Sequence, residues 1–402
     1  MAGRPRASAF GPLDGFAEEF VAELAGQGYA PRSSEQQLRL LRDLSRWLAA
    51  EGLAASDLGI EVVDSFVAVR RQRTTKFRSS RALVPLLAYL RARGVAPEAP
   101  VAAPAGPVDA LLERFARYLA IERGLATATV SSYRSQVRPF LVEHVSEDGD
   151  WMSLSARAVA DFITERAHRQ RPRSVAVRAN ALRALLRWMW REGIVPAPLA
   201  DAVGSVAAHA AWSPRKSLSA SEVHALFAAL PAGPVRLRDE PMLALMCRLG
   251  LRAGEVASLR IEDIDWRAGM ITVRGKSERH EQMPLPVDVG RLLVAYLQRG
   301  RPTGGTRREV FLGLDAPHRP LTSAALTTVA SRALVRAGIS GPGAAHRLRH
   351  TAACSVLAAG GGLMEVGQLL RHRSAEATAV YAKSDLRALA VLARPWPLGG
   401  AR

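Results

Sequence analysis

Apolar residues recur at three- and four-residue steps along most of this chain, which is the spacing of an amphipathic helix. One such stripe consists of Leu182, Leu185, Leu186 and Met189. The alternation typical of strands occurs at Met270–Arg274 and again at residues 282–285. The segment between them, GKSERHE, is too polar for a core and is predicted to form the tip of a hairpin. The pattern therefore predicts a mainly α fold with a small β-hairpin or sheet.

Two early segments of about four predicted helices each resemble one unit written twice. At an offset of 96 residues the matches are Gly28 with Gly124, Leu41 with Val137, Leu44 with Phe140, Val63 with Val159, and Phe66 with Phe162. At an offset of 99 residues, Leu83, Leu86, Leu87, Gly94 and Pro97 match Leu182, Leu185, Leu186, Gly193 and Pro196. Chance similarity between two helical bundles rich in Ala and Leu is the alternative. The shared Gly-x-x-Pro endings favour duplication, and two copies do not make a solenoid.

Two breaks rich in Ala, Pro or Gly divide the chain into predicted domains. The breaks are residues 95–108 and residues 207–217. After the second break, Ser219 and Glu222 have the spacing of a capping box that starts a helix. The predicted parts are a flexible N-terminus at 1–12, helical domains at 13–94 and 109–206, a third domain at 218–385 and a tail at 386–402.

The charge of the chain favours a polyanionic partner. Lys and Arg number 55 against 37 Asp and Glu, a formal net charge of +18. Lysine occupies four positions and arginine 51, so codon bias toward Arg is the alternative explanation, although such bias does not remove acidic residues. Residues 166–191 contain eight arginines and no acidic residue, which favours contact with phosphates over simple solvation. The candidate DNA-binding residues are Arg134, Arg178, Arg183 and Arg187.

Membrane insertion and secretion are not expected. No apolar run approaches the roughly 18 residues of a membrane span, and the N-terminus lacks a hydrophobic signal core. Cys247 and Cys354 are far apart in apolar helical contexts, so they are predicted to be two buried free thiols. These features predict a protein of the reducing cytoplasm.

Two basic residues in the third domain are candidates for a role in catalysis or binding. Arg252 follows Leu-Gly-Leu, which predicts a turn from which its guanidinium projects, and Glu255 can pair with it. A simple surface Arg–Glu pair is the alternative. Lys276 lies at the predicted hairpin tip in a chain that otherwise uses arginine. An ammonium group can give up a proton, whereas a guanidinium effectively cannot, so Lys276 is a candidate general acid.

The remaining candidates follow in two short segments. His346, Arg349 and His350 have the three- and four-residue spacing of one helix face. Zinc binding by the two histidines is disfavoured, because no Glu base lies between them and the neighbouring arginines repel a cation. His372 directly follows the next predicted helix, and Tyr381 comes nine positions later. Two guanidiniums, several imidazoles and a phenol suit an attack of tyrosine on a phosphodiester.

The segments that contain these residues resemble the tyrosine recombinase/integrase family, which includes phage integrases and Xer-type recombinases. The matching stretches are LGLRAGEVASLR, ITVRGKSERHEQMPLP, HRLRHTAACSVLAAG and LLRHRSAEATAVYAKSD. The resemblance covers residues 109–385 and implies helical SAM-like core-binding bundles and a catalytic domain that form a C-shaped clamp around duplex DNA. One departure is Arg371, which stands where the family commonly has Gly, and which could add a contact or alter the turn.

The resemblance also implies roles for individual residues. Arg252 and Arg349 would clamp the phosphate, Lys276 would protonate the 5′-oxygen, and Tyr381 would be the nucleophile. His346 and His372 would assist proton transfer and phosphate binding. Glu255 and His350 match supporting positions.

The implied activity is site-specific recombination of double-stranded DNA through a covalent 3′-phosphotyrosyl intermediate, without metal, cofactor or ATP. The implied assembly is a homo-oligomer, a dimer on each site and a tetramer in synapsis, with the tail at 386–402 exchanged between subunits. The implied location is the bacterial cytoplasm, at the nucleoid. The alternatives are a type IB topoisomerase and a non-catalytic DNA-binding protein of the same fold. The domain at 13–94 would be an arm-site reader or an extra clamp element.

Overall fold

The structure, a computed structural model, describes residues 11–73, 79–98, 106–146, 148–205, 217–275, 280–303 and 307–372, together with Ser374, Thr378 and Tyr381. Helices dominate these residues, and a small antiparallel sheet accompanies them, so the predicted fold class is confirmed. The chain divides into two compact units, Ala99–Ser213 and the combination of Met1–Glu98 with Pro214–Arg402. The predicted domain boundaries stay predictions. None of the helices in these ranges is long and apolar enough to cross a membrane.

The unit within Ala99–Ser213 is a helical bundle. Its helices are α5 (Pro107–Arg117), α6 (Thr127–His144), α7 (Ala156–Arg169) and α8 (Pro172–Arg191), and one π-helical turn (Tyr118–Glu122) follows α5. The predicted stripe of α8 is fully buried and packs against aromatic residues of the other helices, including Phe115, Phe140 and Phe162. Burial of this apolar stripe stabilises the bundle and fixes which face of α8 points outward.

The N-terminal bundle consists of α1 (Ala17–Gly26), α2 (Pro31–Glu51), α3 (Ile60–Arg73) and α4 (Val84–Ala92). Each Leu, Val and Phe matched by the repeat is buried in both bundles. Two glycine pairs also share one backbone conformation. Gly28 and Gly124 have φ of +81° and +59°, and Gly94 and Gly193 have φ of +68° and +67°. A positive φ favours glycine, so the repeat preserves both the cores and these turns.

The third region, residues 217–381, carries the candidate site. Its helices are α9 (Ala220–Ala228), α10 (Pro234–Arg248), α11 (Ala253–Ala257), α12 (Val287–Arg299), α13 (Ser323–Arg336), α14 (Ala344–Ala358) and α15 (Leu363–Leu370). The predicted capping box begins α9, since the Ser219 N–H donates to Glu222 Oε2 at 2.8 Å and the Glu222 N–H donates to Ser219 Oγ at 3.1 Å. The second half of α10 is largely buried, and the helix packs against α12 and α14.

The sheet of this region has the strand order β1 (Ile264–Asp265), β2 (Met270–Arg274) and β3 (His280–Pro284), all antiparallel. The predicted bounds of the second strand, 282–285, are wrong at both ends. The strand begins earlier, because His280 and Glu281 pair with Arg274 and Val273, and it ends at Pro284, which pairs with Met270. Polar residues are compatible with a strand whose side chains are largely exposed, as those of β3 are. The rest of the predicted hairpin tip, residues 276–279, lies outside the described residues.

Both cysteines are free thiols. Cys247 is buried in α10, and burial raises its pKa to about 11. Cys354 on α14 is half-buried, so the prediction of two buried thiols is wrong for this residue. Its Sγ lies 3.7 Å from His350 Nε2, one helical turn earlier on α14.

Candidate active site

Arg252 lies on a tight loop between α10 and α11. Gly250 in this loop has φ +64°, and a Cβ there would lie 2.6 Å from Leu370 Cδ2. Glycine therefore lets the loop pass close to α15. The Arg252 N–H donates to Glu255 Oε2 at 2.7 Å, and its guanidinium Nη1 donates to Glu255 Oε1 at 2.7 Å. Glu255 thus caps α11 and orients a guanidinium that remains 48% exposed.

The carboxylate of Glu255 is stabilised although it is buried. Burial by itself raises the pKa of Glu255, but the Arg252 N–H and the guanidiniums of Arg371 and Arg252 bring the pKa below its ordinary value. Glu255 is therefore ionised at neutral pH. Its negative charge offsets part of the positive charge of the surrounding arginines.

Arg349 is held from two sides. Its side chain is only 6% exposed, and its Nη1 and Nη2 donate to the carbonyl oxygens of Gly250 and Leu370. These carbonyls belong to the Arg252 loop and to the end of α15, so the guanidinium joins both to α14. Burial, followed by repulsion from Arg252, lowers the pKa of Arg349 to about 10, which leaves the group charged at neutral pH.

These side chains border a cleft of about 840 Å³ in the third region. His346 is exposed on α14 and lies at the wall of this cleft. The charged and imidazole residues of the lining are Arg252, Glu255, Arg274, Glu281, His346, Arg349, Arg371 and His372. Arginines outnumber carboxylates in this set, so the cleft suits an anionic group.

His372 follows α15 and faces the arginines. Its Nδ1 lies 2.8 Å from Thr378 Oγ1, which fixes the ring orientation. Burial, and then the charges of Arg349, Arg252 and Arg371, lower the pKa of His372 to about 4. The imidazole is therefore neutral at pH 7, and one ring nitrogen can accept a proton.

We expect His372 to titrate near pH 4 in the DNA-free protein. Protonation would place a fourth cation beside three guanidiniums. Because folding depresses this pKa from 6.5, His372 favours the folded state above about pH 6.5, and this contribution is lost as the pH falls toward 4. An NMR titration of labelled histidine, with His372→Gln to assign the signal, measures the midpoint. A midpoint at or above 6.5 would contradict the expected burial and repulsion.

Tyr381 lies between two imidazole rings. Its ring centroid is 4.9 Å from that of His350 and 6.1 Å from that of His372. Only 8% of the residue is exposed, and it packs with Leu357, Leu370 and their neighbours in a small apolar cluster. The described residues that line the cleft do not include Tyr381. The phenol is thus adjacent to His372, which does line the cleft.

The structure brings together most of the site residues predicted from the sequence. Arg252, Glu255, His346, Arg349, His350, His372 and Tyr381 all lie around the cleft or directly behind its walls. Lys276 lies outside the described residues. Within the described ranges, no group of three or more His, Cys, Asp or Glu side chains could hold a metal ion.

The four candidate DNA-binding arginines belong to the other unit. Arg134 is half-buried and pairs with Glu113 at 2.6 Å, and Arg187 is exposed on α8. Arg178 is half-buried over Phe162, and Arg183 donates to the Val203 carbonyl at 2.9 Å. Part of this positive charge therefore stabilises the bundle itself, through partners that are distant in sequence.

The sequence patterns did not identify two residues of the site. Thr378 contacts His372. In the sequence, only its position three residues before Tyr381 could have indicated that it belongs to the site. Arg371 was recognised as a departure from the family pattern, but without a role. Its side chain lies in the wall of the cleft and donates to Glu255 Oε2 at 2.6 Å.

Comparison with known proteins identifies the family of this chain. The profile described as "Phage integrase family" matches residues 216–387, and the profile "Phage integrase, N-terminal SAM-like domain" matches residues 112–193. The putative integrase/recombinase y4rA of Sinorhizobium fredii (strain NBRC 101917 / NGR234) is 36% identical over 393 residues, which are 96% of this chain and 95% of that protein. The chain belongs to the phage integrase family of tyrosine recombinases.

Other tyrosine recombinases share parts of the sequence and the fold. Tyrosine recombinase XerC of Yersinia pestis is 30% identical over 70% of this chain and 92% of its own length. The XerH site-specific recombinase, solved with a palindromic difH substrate in a post-cleavage complex, has a TM-score of 0.56 and 16% identity over 72% of this chain and 97% of that chain. A lambda integrase dimer bound to a COC′ core site has a TM-score of 0.53 and 19% identity over 73% and 99%.

Proposed function

We propose that this tyrosine recombinase cuts and rejoins double-stranded DNA at specific sites, through a covalent 3′-phosphotyrosyl intermediate at Tyr381. The observation that carries the proposal is the cleft in which Arg252 and Arg349 converge beside His372, with the Tyr381 phenol next to His372. A phosphodiester between the two guanidiniums would receive several charge-assisted hydrogen bonds.

The first chemical step follows from this arrangement. The Tyr381 oxygen attacks phosphorus, the bond to the 5′-oxygen breaks, and the bond between the tyrosine oxygen and the 3′-phosphate forms. The phenolic proton passes to a neighbouring base, and we assign this role to neutral His372, which lines the cleft beside Tyr381. The anionic phosphate offsets the positive charge of the arginines, so its binding raises the basicity of His372.

The departing 5′-oxygen needs a proton, and we assign that role to Lys276. The pentavalent transition state carries an additional negative charge, which Arg252 and Arg349 stabilise. Preoriented donors of this kind contribute several kcal/mol to catalysis, on the order of 3–4 for a single donor. The phosphotyrosine retains the energy of the diester, so a second DNA 5′-hydroxyl reverses the step without ATP, and no step uses a metal.

The remaining parts of the chain fit the same function. We assign the helical domain at 109–206 to binding the DNA backbone, with Arg134, Arg178, Arg183 and Arg187 as candidate contacts, and the domain at 218–385 to catalysis within a C-shaped clamp. The domain at 13–94 serves as an arm-site reader or as a further clamp element. The reaction takes place at the nucleoid in the bacterial cytoplasm.

Synapsis in this proposal joins two DNA-bound dimers into a tetramer. The tail at 386–402, which lies outside the described residues, would exchange between subunits. Its apolar positions Leu386, Leu389 and Leu392 have the spacing of one helix face.

A nicked suicide substrate tests the proposed function. Fragments bound by the protein are selected from random duplex DNA, and a nick is placed near the cleavage position so that the cut end diffuses away. In EDTA we expect a protein–DNA adduct that survives denaturation and contains Tyr381. Efficient relaxation of supercoiled plasmid that lacks the selected site would favour a type IB topoisomerase. Binding without any adduct would favour a non-catalytic DNA-binding protein.

A further inference from the structure

Arg371 occupies a backbone conformation that favours glycine. It is the residue after α15 and has φ +54° and ψ +51°, in the left-handed region. A residue with a Cβ is disfavoured there, and helices commonly end in this conformation with Gly. An arginine at this position therefore needs compensating contacts from its side chain.

The side chain of Arg371 provides such contacts. It is 8% exposed, and its Nη2 donates to Glu255 Oε2 at 2.6 Å. Its Nη1 lies 3.2 Å from Met283 Sδ on β3 and 3.2 Å from the Leu369 carbonyl oxygen. Arg371 thus connects the end of α15 to the sheet and to the carboxylate that orients Arg252.

The Glu255 carboxylate accepts hydrogen bonds from two guanidiniums and lies near a third. Glu255 Oε1 accepts from the Arg252 guanidinium, and Oε2 accepts from the Arg252 N–H and from Arg371. Arg349 Nη1 lies 4.0 Å from the same Oε2. Arg349 is instead bound to the carbonyls of Gly250 and Leu370. Glu255 therefore forms hydrogen bonds with Arg252 and Arg371, whereas Arg349 stays beyond hydrogen-bond distance from it.

We propose that Arg371 is a positioning residue that acts through Glu255, keeping the carboxylate on Arg252 and away from Arg349. Without Arg371, Oε2 loses its charged donor, and Arg349 becomes the nearest other guanidinium. Attraction over 4.0 Å would then draw Glu255 and Arg349 together and weaken the two carbonyl contacts. Both arms of the phosphate clamp would lose their orientation. This role rests on the proposed function, and it deepens the account of that same site.

The charge of Arg371 has a second effect, on His372. Among the described residues, the charged and titratable groups that line the cleft together with this imidazole are Arg252, Glu255, Arg274, Glu281, His346, Arg349 and Arg371. The Tyr381 ring lies 6.1 Å from it, and His350 lies on the other side of that ring. Arg371 is one of the three guanidiniums that lower the pKa of His372. Its removal is therefore expected to raise this pKa from about 4 toward 6.5, which a purely structural contact elsewhere would not do.

A double-mutant cycle tests the proposal with the full-length protein and the nicked substrate. Arg371→Gly places a glycine in a backbone conformation that favours glycine, so the substitution causes no backbone strain. This variant is expected to form the adduct about ten-fold more slowly than wild type at saturating DNA. In a Glu255→Gln background the same change is expected to slow the reaction by less than about three-fold, because Arg371 acts through Glu255. Equal losses in both backgrounds would contradict the proposal, as would an unchanged rate for Arg371→Gly.

His318→Gly is the matched control, since His318 is another described non-glycine residue with positive φ, at +45°, and it does not line the cleft. It is expected to retain the wild-type rate and the wild-type pKa of His372, whereas Arg371→Gly changes both. An unchanged pKa of His372 in Arg371→Gly would show that the Arg371 guanidinium does not lie beside this imidazole, which contradicts the geometry on which the positioning role rests. A wild type that forms no adduct contradicts the proposed function itself, so the two failures are distinguishable.

Discussion

Tyr381→Phe is expected to lower the rate of covalent adduct formation by roughly 10⁴-fold or more, the scale on which loss of a nucleophile acts. The substitution removes the hydroxyl that would attack phosphorus and retains the ring that packs against His350 and His372. The free energy of unfolding should therefore change by no more than about 1 kcal/mol. The rate is measured as adduct on a denaturing gel after timed quenching, and stability is measured by urea denaturation.

Tyr89→Phe is the control for this substitution. Tyr89 is similarly buried, at 6% exposure, and its hydroxyl donates to Glu19 at 3.2 Å in the N-terminal bundle. We expect this variant to form the adduct at the wild-type rate. An adduct formed by Tyr381→Phe at a comparable rate would remove Tyr381 as the nucleophile.

Arg349→Lys is expected to slow adduct formation by about 10²–10³-fold. A lysine keeps the charge, but its ammonium group cannot reproduce a planar fork that binds the carbonyls of Gly250 and Leu370 and also faces the cleft. Loss of buried hydrogen bonds should also lower the free energy of unfolding by about 1–3 kcal/mol. Single-turnover cleavage and urea denaturation measure the two effects separately.

Arg347→Lys separates catalysis from stability. Arg347 lies on the same helix, is also buried, and donates through Nη1 to the Ser340 carbonyl at 2.7 Å, yet it does not line the cleft. We expect a comparable loss of stability and a cleavage rate within about three-fold of wild type. If the two variants lose the same amount of activity, the effect of Arg349 is one of folding alone.

The fold was predictable from the sequence wherever periodicity was long and regular. The apolar stripe of α8 lies in the core as expected, and Ser219 and Glu222 form the predicted capping box. The start of β3 was not predictable, because His280 and Glu281 enter the strand through backbone pairing with β2, which their polar side chains do not reveal.

The members of the site were also largely predictable, since each has a chemical type and a spacing suited to phosphate chemistry. Arg252 and Glu255 are three residues apart, so their pairing follows from one turn of helix. Arg183 shows the limit of such reasoning. Its guanidinium binds the Val203 carbonyl, a partner that is 20 residues away in sequence and brought near only by packing.

The sequence by itself determined the helical pattern, the excess of positive charge, and the order of residues that identify a tyrosine recombinase. Tertiary structure decided which of those residues form ion pairs and hydrogen bonds with one another. Glu255 meets Arg371 across 116 positions, and Arg349 meets the Gly250 carbonyl across 99. The depressed pKa of His372 follows from burial and from guanidiniums gathered in this way. Desolvation and Coulomb attraction depend on distance and burial in space, which local sequence does not specify.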